Sequence, residues 1–434
     1  MIHHGDCLDV LRSLPADSVD ACVTDPPYGL EFMGKAWDKL GDGRTSKPGI
    51  GERRTEWPSN RGWNQHRCTN CGHLSHGGSP CKCDAPCFAA ADDRWQQMEA
   101  WHKEWAIEVL RVLKPGASLL AFGGSRTYHR LTCGIEDAGF EIRDCLSWLY
   151  GSGFPKSLNL PGGLGTALKP SWEPCVLARK PLIGTVAANV ERFGTGAINI
   201  DACRIKGGAR PWREPAVPRS GDGSRVYGAF EKEGSRAVED TVLGRWPANV
   251  LLDEEAAALL DEQTGEMVSG IAVNRNRAPQ ITNEVYGQGW KHSGRDEGYG
   301  DTGGASRFYY VAKPSREERD YGTQGLTPRT GGQATDRQDG SAGINSPRAG
   351  AGRTGGSRNF HPTVKPVELM RWLVKLVTPI GGTVLDPFMG SGTTGMACRY
   401  EMREFIGIER EADYIAIAER RIAAVAPLFT EVSA

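Results

Sequence analysis

The strongest constraint on the fold comes from residues 382–395, where a short apolar segment runs into a glycine-rich turn with the sequence GTVLDPFMGSGTTG. The apolar residues 396–398 then begin a helix, and residues 405–409 form a second apolar segment that ends in an acid. That acid lies about 20 residues beyond the glycines, the spacing at which a β-α-β unit offers a carboxylate to ribose hydroxyls. A phosphate-binding loop fits poorly, because no Gly-Lys-Ser/Thr follows the turn.

A second stretch, TDPPYG at residues 24–29, follows the apolar residues 19–23, which are typical of a buried strand. Two prolines directly after a strand can neither continue a helix nor donate to a sheet ladder, so the strand ends there. The turn places Asp25 and Tyr28 at the carboxyl end of the strand, where open α/β sheets bind ligands. A carboxylate, the Pro26 carbonyl and a flat ring suit a planar substrate with an exocyclic amine. The alternative is a strand that ends in a proline turn with a half-buried tyrosine.

Together, DPPY and DPFMGSGTTG resemble the motifs of the S-adenosylmethionine-dependent amino-methyltransferases of DNA, which modify adenine N6 or cytosine N4. The order of the motifs, catalytic first and cofactor last, resembles the circularly permuted beta class of that family. The sequence HPTVKP at 361–366 is similar to a motif that touches the methionine part of the cofactor. The sequence YGSGFPKS at 150–157 is similar to a segment of phage and prophage DNA methylases. The resemblance covers about residues 1–180 and 300–434.

The resemblance implies a set of site residues. The catalytic residues would be Asp25, Pro26, Pro27 and Tyr28. Asp6 would lie near the adenine of the cofactor, or would instead serve as a helix N-cap. The other cofactor-binding residues would be Thr363, Lys365, Pro366, Asp386, Pro387, Phe388, Gly390, Ser391, Gly392, Thr393 and Glu409.

A cysteine cluster lies between the two motifs. Two close pairs about ten residues apart suit a tetrahedral structural zinc knuckle. The favoured ligands are Cys68, Cys71, Cys81 and Cys83, with Cys87 as a spare and His66, His73 and His76 interspersed. The alternative is a loop of reduced thiols.

Composition limits the remaining choices. The formal net charge of −1 gives no global basic field, so any contact with DNA must use local patches. We find no signal peptide and no apolar run that could span a bilayer, so we expect a cytoplasmic protein without membrane contact. Its 12 cysteines are then expected as thiols or metal ligands. The resemblance implies double-stranded DNA as a partner and leaves open a homodimer and a cognate restriction endonuclease.

Periodicity predicts further elements. Residues 92–113 carry apolar residues at spacings of three and four and should form a helix whose tryptophans belong to the core. Strands are expected at 117–123, 141–150, 174–179 and 307–313, and a strand followed by a capped helix at 246–263. The tracts 204–236 and 322–356 are rich in Gly, Ser and Arg and are expected to be flexible. Positive residues that could meet DNA are Arg204, Lys206, Arg210, Arg213, Arg275, Arg277 and Lys291.

We therefore predict a Rossmann-like methyltransferase fold of the α/β class with permuted motifs and two insertions. Its parts are a catalytic half at 1–180 with a cysteine-rich insertion at 66–90, a loop-rich target-recognition region at 181–358, and a cofactor-binding half at 359–434. The favoured product is N6-methyladenine, because an acid more often begins the motif in the adenine enzymes. N4-cytosine, an amine or amide of RNA or protein, and a DNA-binding module with a degenerate cofactor site are the alternatives. A C5-cytosine enzyme is set aside, because Cys175 lies within a strand-like run.

Overall fold

The computed structural model forms two compact units. The first contains residues 1–149, 153–199 and 312–434, and the second contains 150–152 and 200–311. The residues that the structure describes are 1–28, 66–71, 81–90, 94–153, 159–207, 244–268, 301–312, 317–330, 333 and 356–425. Outside them lie the loop predicted after Tyr28, His73, His76, all the positive residues named above except Arg204 and Lys206, and most of the two tracts predicted to be flexible.

The strands are β1 (Ile2–His4), β2 (Val19–Thr24), β3 (His66–Cys68), β4 (Phe88–Ala90), β5 (Leu113–Phe122), β6 (Glu141–Leu149), β7 (Asn159–Leu160), β8 (Leu164–Gly165), β9 (Trp172–Arg179), β10 (Val250–Asp253), β11 (Met267–Val268), β12 (Thr302–Gly303), β13 (Tyr310–Ala312), β14 (Thr383–Asp386) and β15 (Glu404–Glu409). The helices are α1 (Cys7–Ser13), α2 (Arg94–Val112), α3 (Tyr128–Asp137), α4 (Val186–Phe193), α5 (Glu254–Thr264), α6 (Val367–Val377), α7 (Thr393–Tyr400) and α8 (Ala412–Ala424).

In the first unit the main sheet runs in the order β1-β15-β14-β2-β5-β9-β6. In this order, each neighbouring pair from β1 through β15, β14 and β2 to β5 is parallel. Strand β9 is antiparallel to both β5 and β6. This is the mostly parallel α/β sheet that the sequence predicts. The two ends of the chain meet inside it, because β14 pairs with β2 through Val384–Ala21 and Leu385–Cys22.

The pairing of β14 with β2 decides where the two sequence motifs lie. Both strands are buried and point in the same direction, so their carboxyl ends share one edge of the sheet. At that edge the Thr24 hydroxyl donates a 2.7 Å hydrogen bond to the Asp386 carboxylate. The DPPY turn and the glycine-rich turn are therefore neighbours although more than 300 residues separate them in sequence.

Helix α2 packs one apolar face against the sheet. Trp105 and Val109 are fully buried, and Trp101 is half-buried against the same core as Leu119 of β5. The prediction that the tryptophans belong to the core is confirmed for Trp101 and Trp105. The helix ends at Val112 and β5 begins at once, four residues earlier than the periodicity indicates, because Leu113 already pairs with Val19.

Two other strand predictions need correction. The strand predicted at 307–313 begins later, since Ala305–Phe308 form a 3-10 turn and the described strand runs from Tyr310 to Ala312. The strand predicted at 174–179 is longer, since β9 begins at Trp172, and it lies inside the sheet between β5 and β6 although it follows both in sequence. Short apolar runs show that a strand exists but do not give its neighbours.

The second unit contains the predicted strand and capped helix. The Asp253 carboxylate accepts a 2.7 Å hydrogen bond from the backbone N–H of Ala256 at the start of α5, which confirms the predicted cap. Later in that helix, Asp261 accepts hydrogen bonds from the backbone N–H and hydroxyl of Ser306.

Candidate active site

A partly buried charged cluster occupies the carboxyl end of β2. Asp25 follows the strand, and the two oxygens of its carboxylate have different partners. The Tyr28 hydroxyl donates to Oδ1 at 2.8 Å, and the Lys365 ammonium donates to Oδ2 at 2.6 Å. The prolines between Asp25 and Tyr28 fix the turn that lets one side chain reach the other.

A second carboxylate completes this cluster. Glu173 of β9 lies 3.2 Å from the Lys365 ammonium and 3.4 Å from the Tyr28 hydroxyl. Burial by itself would lower the pKa of Lys365, but the neighbouring carboxylates of Asp25 and Glu173 raise it above its ordinary value. Burial and the same two carboxylates raise the pKa of Tyr28. The lysine is therefore charged and the tyrosine neutral at neutral pH.

The glycine-rich turn after β14 has a backbone that only glycine adopts easily. Gly390 has φ +54° and Gly392 has φ +79°. A Cβ atom at Gly390 would lie 2.7 Å from Nε2 of His361, and one at Gly392 would lie 2.8 Å from Cβ of Ala418. The turn is thus packed closely against protein at both glycines, and a side chain at either position would have to displace its neighbours.

The acid at the end of β15 is held beside this turn. Glu409 accepts hydrogen bonds from the backbone N–H groups of Gly390 at 2.9 Å, Arg410 at 2.9 Å and Glu411 at 2.8 Å. Burial is the main reason that its pKa is raised. A carboxylate has about four lone-pair positions, so acceptor capacity remains for hydroxyl groups of a ligand.

Asp386 anchors the turn from below. Its carboxylate accepts from the Thr24 hydroxyl, from the Thr394 hydroxyl at 2.6 Å, and from the backbone N–H of Phe388 at 3.1 Å. Burial raises its pKa to about 6. Both oxygens already have protein donors, so the geometry gives Asp386 a scaffold role.

Behind the turn, Arg421 donates to the Ser391 carbonyl at 2.7 Å and to the hydroxyls of Ser391 and Thr393, each at 3.0 Å. His361 packs edge-to-face on Tyr414, 4.6 Å between ring centroids. Burial, followed by nearby positive charges, lowers the pKa of His361 to about 3, so the imidazole is neutral. Sequence reasoning missed Arg421, which lies far from any motif in the chain.

The remaining predicted cofactor residues have different surroundings. Asp6 caps α1 by accepting a hydrogen bond from the backbone N–H of Leu8, which confirms the N-cap alternative and leaves its role at an adenine a prediction. Thr363 is exposed, Pro366 precedes α6, and Pro387 is buried. Phe388 packs on Trp101 and Trp105, at 5.6 and 5.5 Å between centroids.

Away from this edge, the four predicted cysteine ligands come together. The Sγ atoms of Cys68, Cys71, Cys81 and Cys83 all lie within 4.8 Å of one another. The closest pairs are Cys71–Cys81 at 3.5 Å and Cys68–Cys83 at 3.8 Å. Four sulfurs about 2.3 Å from a tetrahedral zinc ion would be about 3.8 Å apart, so the donor set matches that geometry.

A family model described as DNA methylase matches residues 19–184 and 256–420 of the chain. The chain therefore belongs to the N6/N4 DNA methylase family, whose members use S-adenosylmethionine. The type II methyltransferase M.HindIII of Haemophilus influenzae is 22% identical over 97% of this chain and 94% of its own length. M2.DpnII of Streptococcus pneumoniae, also a type II methyltransferase, is 45% identical over 15% of the chain and 24% of its own length.

Two solved structures align along most of the chain with low scores. PvuII DNA methyltransferase (cytosine-N4-specific) gives a TM-score of 0.42 at 13% identity, covering 100% of this chain and 87% of that one. M1.HpyAVI in complex with SAM gives 0.35 at 14% identity, covering 97% and 98%. The family assignment rests on the family model. In the part of the chain that the structure describes, no helix combines the length and apolar character needed to cross a membrane.

Proposed function

We propose that this protein is a site-specific DNA methyltransferase that methylates the exocyclic amine of a flipped base, with adenine N6 as the favoured target. One observation carries the proposal. Asp25 and Tyr28 lie at the same sheet edge as the glycine-rich turn of Gly390, and the Thr24–Asp386 hydrogen bond links the two turns. The catalytic motif precedes the cofactor motif in the chain, which supports a circularly permuted family member.

In this proposal the target base leaves the duplex and stacks on the Tyr28 ring. The Asp25 carboxylate and the Pro26 carbonyl accept hydrogen bonds from the amine, which directs lone-pair density at the nitrogen toward the incoming methyl group. The nitrogen would form a bond to that methyl carbon as the carbon–sulfur bond breaks, the demethylated cofactor would leave as a thioether, and the amine would release its proton to water. The protein contributes position and electrostatics, without a covalent intermediate.

The cofactor-binding role of the glycine-rich turn belongs to the same proposal. S-adenosylmethionine supplies an electrophilic methyl group on a sulfonium. Glu409 offers carboxylate oxygens to its ribose, and Gly390 and Gly392 allow the backbone to approach closely. Ser391 and Thr393, held by Arg421, keep the turn in shape.

The identity of the modified base can be measured directly. Purified protein is incubated with S-adenosylmethionine and unmethylated DNA, and the nucleosides are separated by mass spectrometry. N6-methyldeoxyadenosine is expected. N4-methyldeoxycytidine would support an amino-methyltransferase of DNA but would show that its target base is cytosine. A 5-methyl product is not expected, because Cys175 is buried and burial raises its thiol pKa far above neutrality.

The competing function is a DNA-binding module with a degenerate cofactor site. The intact geometry around Gly390 and Glu409 favours the enzyme. Calorimetry with S-adenosylmethionine separates the two, because a degenerate module would give no heat of binding. A homodimer and an accompanying restriction endonuclease stay predictions.

We further propose that the cysteine cluster holds a structural zinc ion. Elemental analysis should give about one zinc per chain for protein purified without added metal. Cys71→Ser should lose it, whereas the matched variant Cys87→Ser should keep it, because Cys87 is outside the group of four sulfurs. If metal-free protein is folded and fully active, the zinc proposal is wrong and the four cysteines are ordinary thiols.

We also propose that sequence recognition lies within residues 181–358. Of the predicted positive residues that the structure describes, Lys206 is exposed, and Arg204 pairs with Asp201 at 2.7 Å. Ile205 is buried and bridges to Arg245, so a test should begin beyond it.

Replacing residues 208–236 with a neutral linker should leave S-adenosylmethionine binding intact and abolish site-specific methylation. DNA affinity should also become less steeply dependent on salt, because a variant that contacts fewer phosphates releases fewer counterions when it binds. If the variant still methylates the same site, recognition lies elsewhere, and the cysteine-rich insertion becomes the next candidate.

A further inference from the structure

We propose that Lys365 and Glu173 are positioning residues that act as a pair on Asp25 and hold its carboxylate in the orientation that the target amine needs. This inference rests on the proposed catalytic role of Asp25. It gives Glu173, which no sequence motif indicated, a function in the reaction.

The geometry makes the three groups one unit. Lys365 donates to Asp25 at 2.6 Å and lies 3.2 Å from Glu173, so one ammonium bridges two carboxylates. The Tyr28 hydroxyl lies between the same carboxylates, at 2.8 Å from Asp25 and 3.4 Å from Glu173. The Lys365 side chain is only 8% exposed, so its charge is poorly screened by water. Its ammonium also lies 4.8 Å from the centroid of the Phe122 ring, which limits its movement.

Charge balance explains why both partners are needed. With Lys365 alone, Asp25 would be fully neutralised by its ion pair and would be a weak acceptor for an amine. With Glu173 alone, the two carboxylates around the Tyr28 hydroxyl would repel each other. The three groups together carry a net charge of about −1, so the Asp25 carboxylate can still accept a hydrogen bond from an amine.

Other titratable groups near the cluster do not supply this balance. The thiol of Cys175, next to the cluster on β9, has a pKa raised by burial and is neutral. Asp386 on β14 is engaged by three donors, and the His361 imidazole is neutral because burial lowers its pKa. Arg319 and Arg421 influence His361 and bind backbone carbonyls near it. Among the described residues, Lys365 is the cation in hydrogen-bond contact with Asp25.

The test is single-turnover methyl transfer, measured beside S-adenosylmethionine binding, in single and paired variants. In Lys365→Met the two carboxylates lose the cation that they share, so the transfer rate should fall by at least about tenfold while cofactor binding is unchanged. In Glu173→Gln the transfer rate should also fall, by a smaller factor, because Lys365 then pairs with Asp25 alone.

In the double variant Lys365→Met/Glu173→Gln the loss of rate should be smaller than the product of the two single losses, since one positive and one negative charge are removed together. A merely structural role would lower the rate and cofactor binding together, with losses that multiply, and that result would overturn the inference. Thermal unfolding of all three variants identifies any that do not fold, and Glu173→Gln, which keeps size and hydrogen-bonding capacity, still tests the rate on its own. With Asp25→Ala, retained activity defeats the proposed function, whereas an inactive Asp25→Ala together with multiplicative losses in the other variants defeats only the pairing.

Discussion

Replacing Asp25 with alanine is expected to lower the rate of methyl transfer by at least about 100-fold while S-adenosylmethionine binding survives. Asp25 faces Tyr28 and Lys365 at the end of β2, and the turn of Gly390 has its own anchors in Asp386 and Glu409. The substitution therefore removes the proposed acceptor for the amine and leaves the anchors of the glycine-rich turn in place. Single-turnover kinetics and calorimetry measure the two effects separately.

A matched control lies on the same strand. Asp20 is a buried carboxylate at the opposite end of β2, where it accepts from Lys114 at 2.6 Å and from the backbone N–H of Thr383 at 2.9 Å. Asp20→Asn should lower the unfolding temperature and keep the rate per folded molecule. If Asp25→Ala turns over within tenfold of the wild type, the assignment of the catalytic acid is wrong.

Gly390→Val is expected to weaken S-adenosylmethionine binding by at least about 100-fold, which corresponds to about 2.7 kcal/mol. Two causes combine: the left-handed backbone at φ +54° disfavours a β-branched residue, and the added Cβ would lie 2.7 Å from His361. Calorimetry on the purified variant gives the loss.

Gly381→Val controls for backbone strain alone. Gly381 has φ +76°, and a Cβ atom there would meet nothing within 4 Å. Both variants should lose stability, but only Gly390→Val should lose cofactor affinity out of proportion. Equal losses of cofactor and DNA binding in Gly390→Val would indicate misfolding. Unchanged S-adenosylmethionine affinity would show that the turn is not part of the cofactor site.

Much of the site could be predicted from sequence because its main parts follow strands directly. Asp25 comes one residue after β2, and the turn of Gly390 and Gly392 begins just after β14. Parallel strands bring their carboxyl ends to one edge, so recognising two strands and two turns was enough to predict that they meet. The four clustered cysteines were predictable for a similar reason, since close spacing restricts how far their sulfurs can separate.

The charged cluster could not be predicted in the same way. Glu173 lies on a strand that joins the sheet between β5 and β6, and its contact with Lys365 depends on that placement. Periodicity shows that a strand exists, but its neighbours depend on pairing between residues far apart in the chain. Arg421 is a similar case. From sequence an arginine on α8 would be expected at the surface, but in the structure it is fully buried and donates to the Ser391 carbonyl. The domain boundaries predicted from sequence stay predictions.

The most direct test of the central claim is long-read sequencing of DNA from a methylation-free host that expresses either the wild-type protein or Asp25→Ala. The wild type should modify an exocyclic amine, N6 of adenine, at one recurring sequence context, and the Asp25→Ala host should show none at that context. Unmodified DNA from a host with folded wild-type protein that binds S-adenosylmethionine, or equal modification in both hosts, would contradict the account.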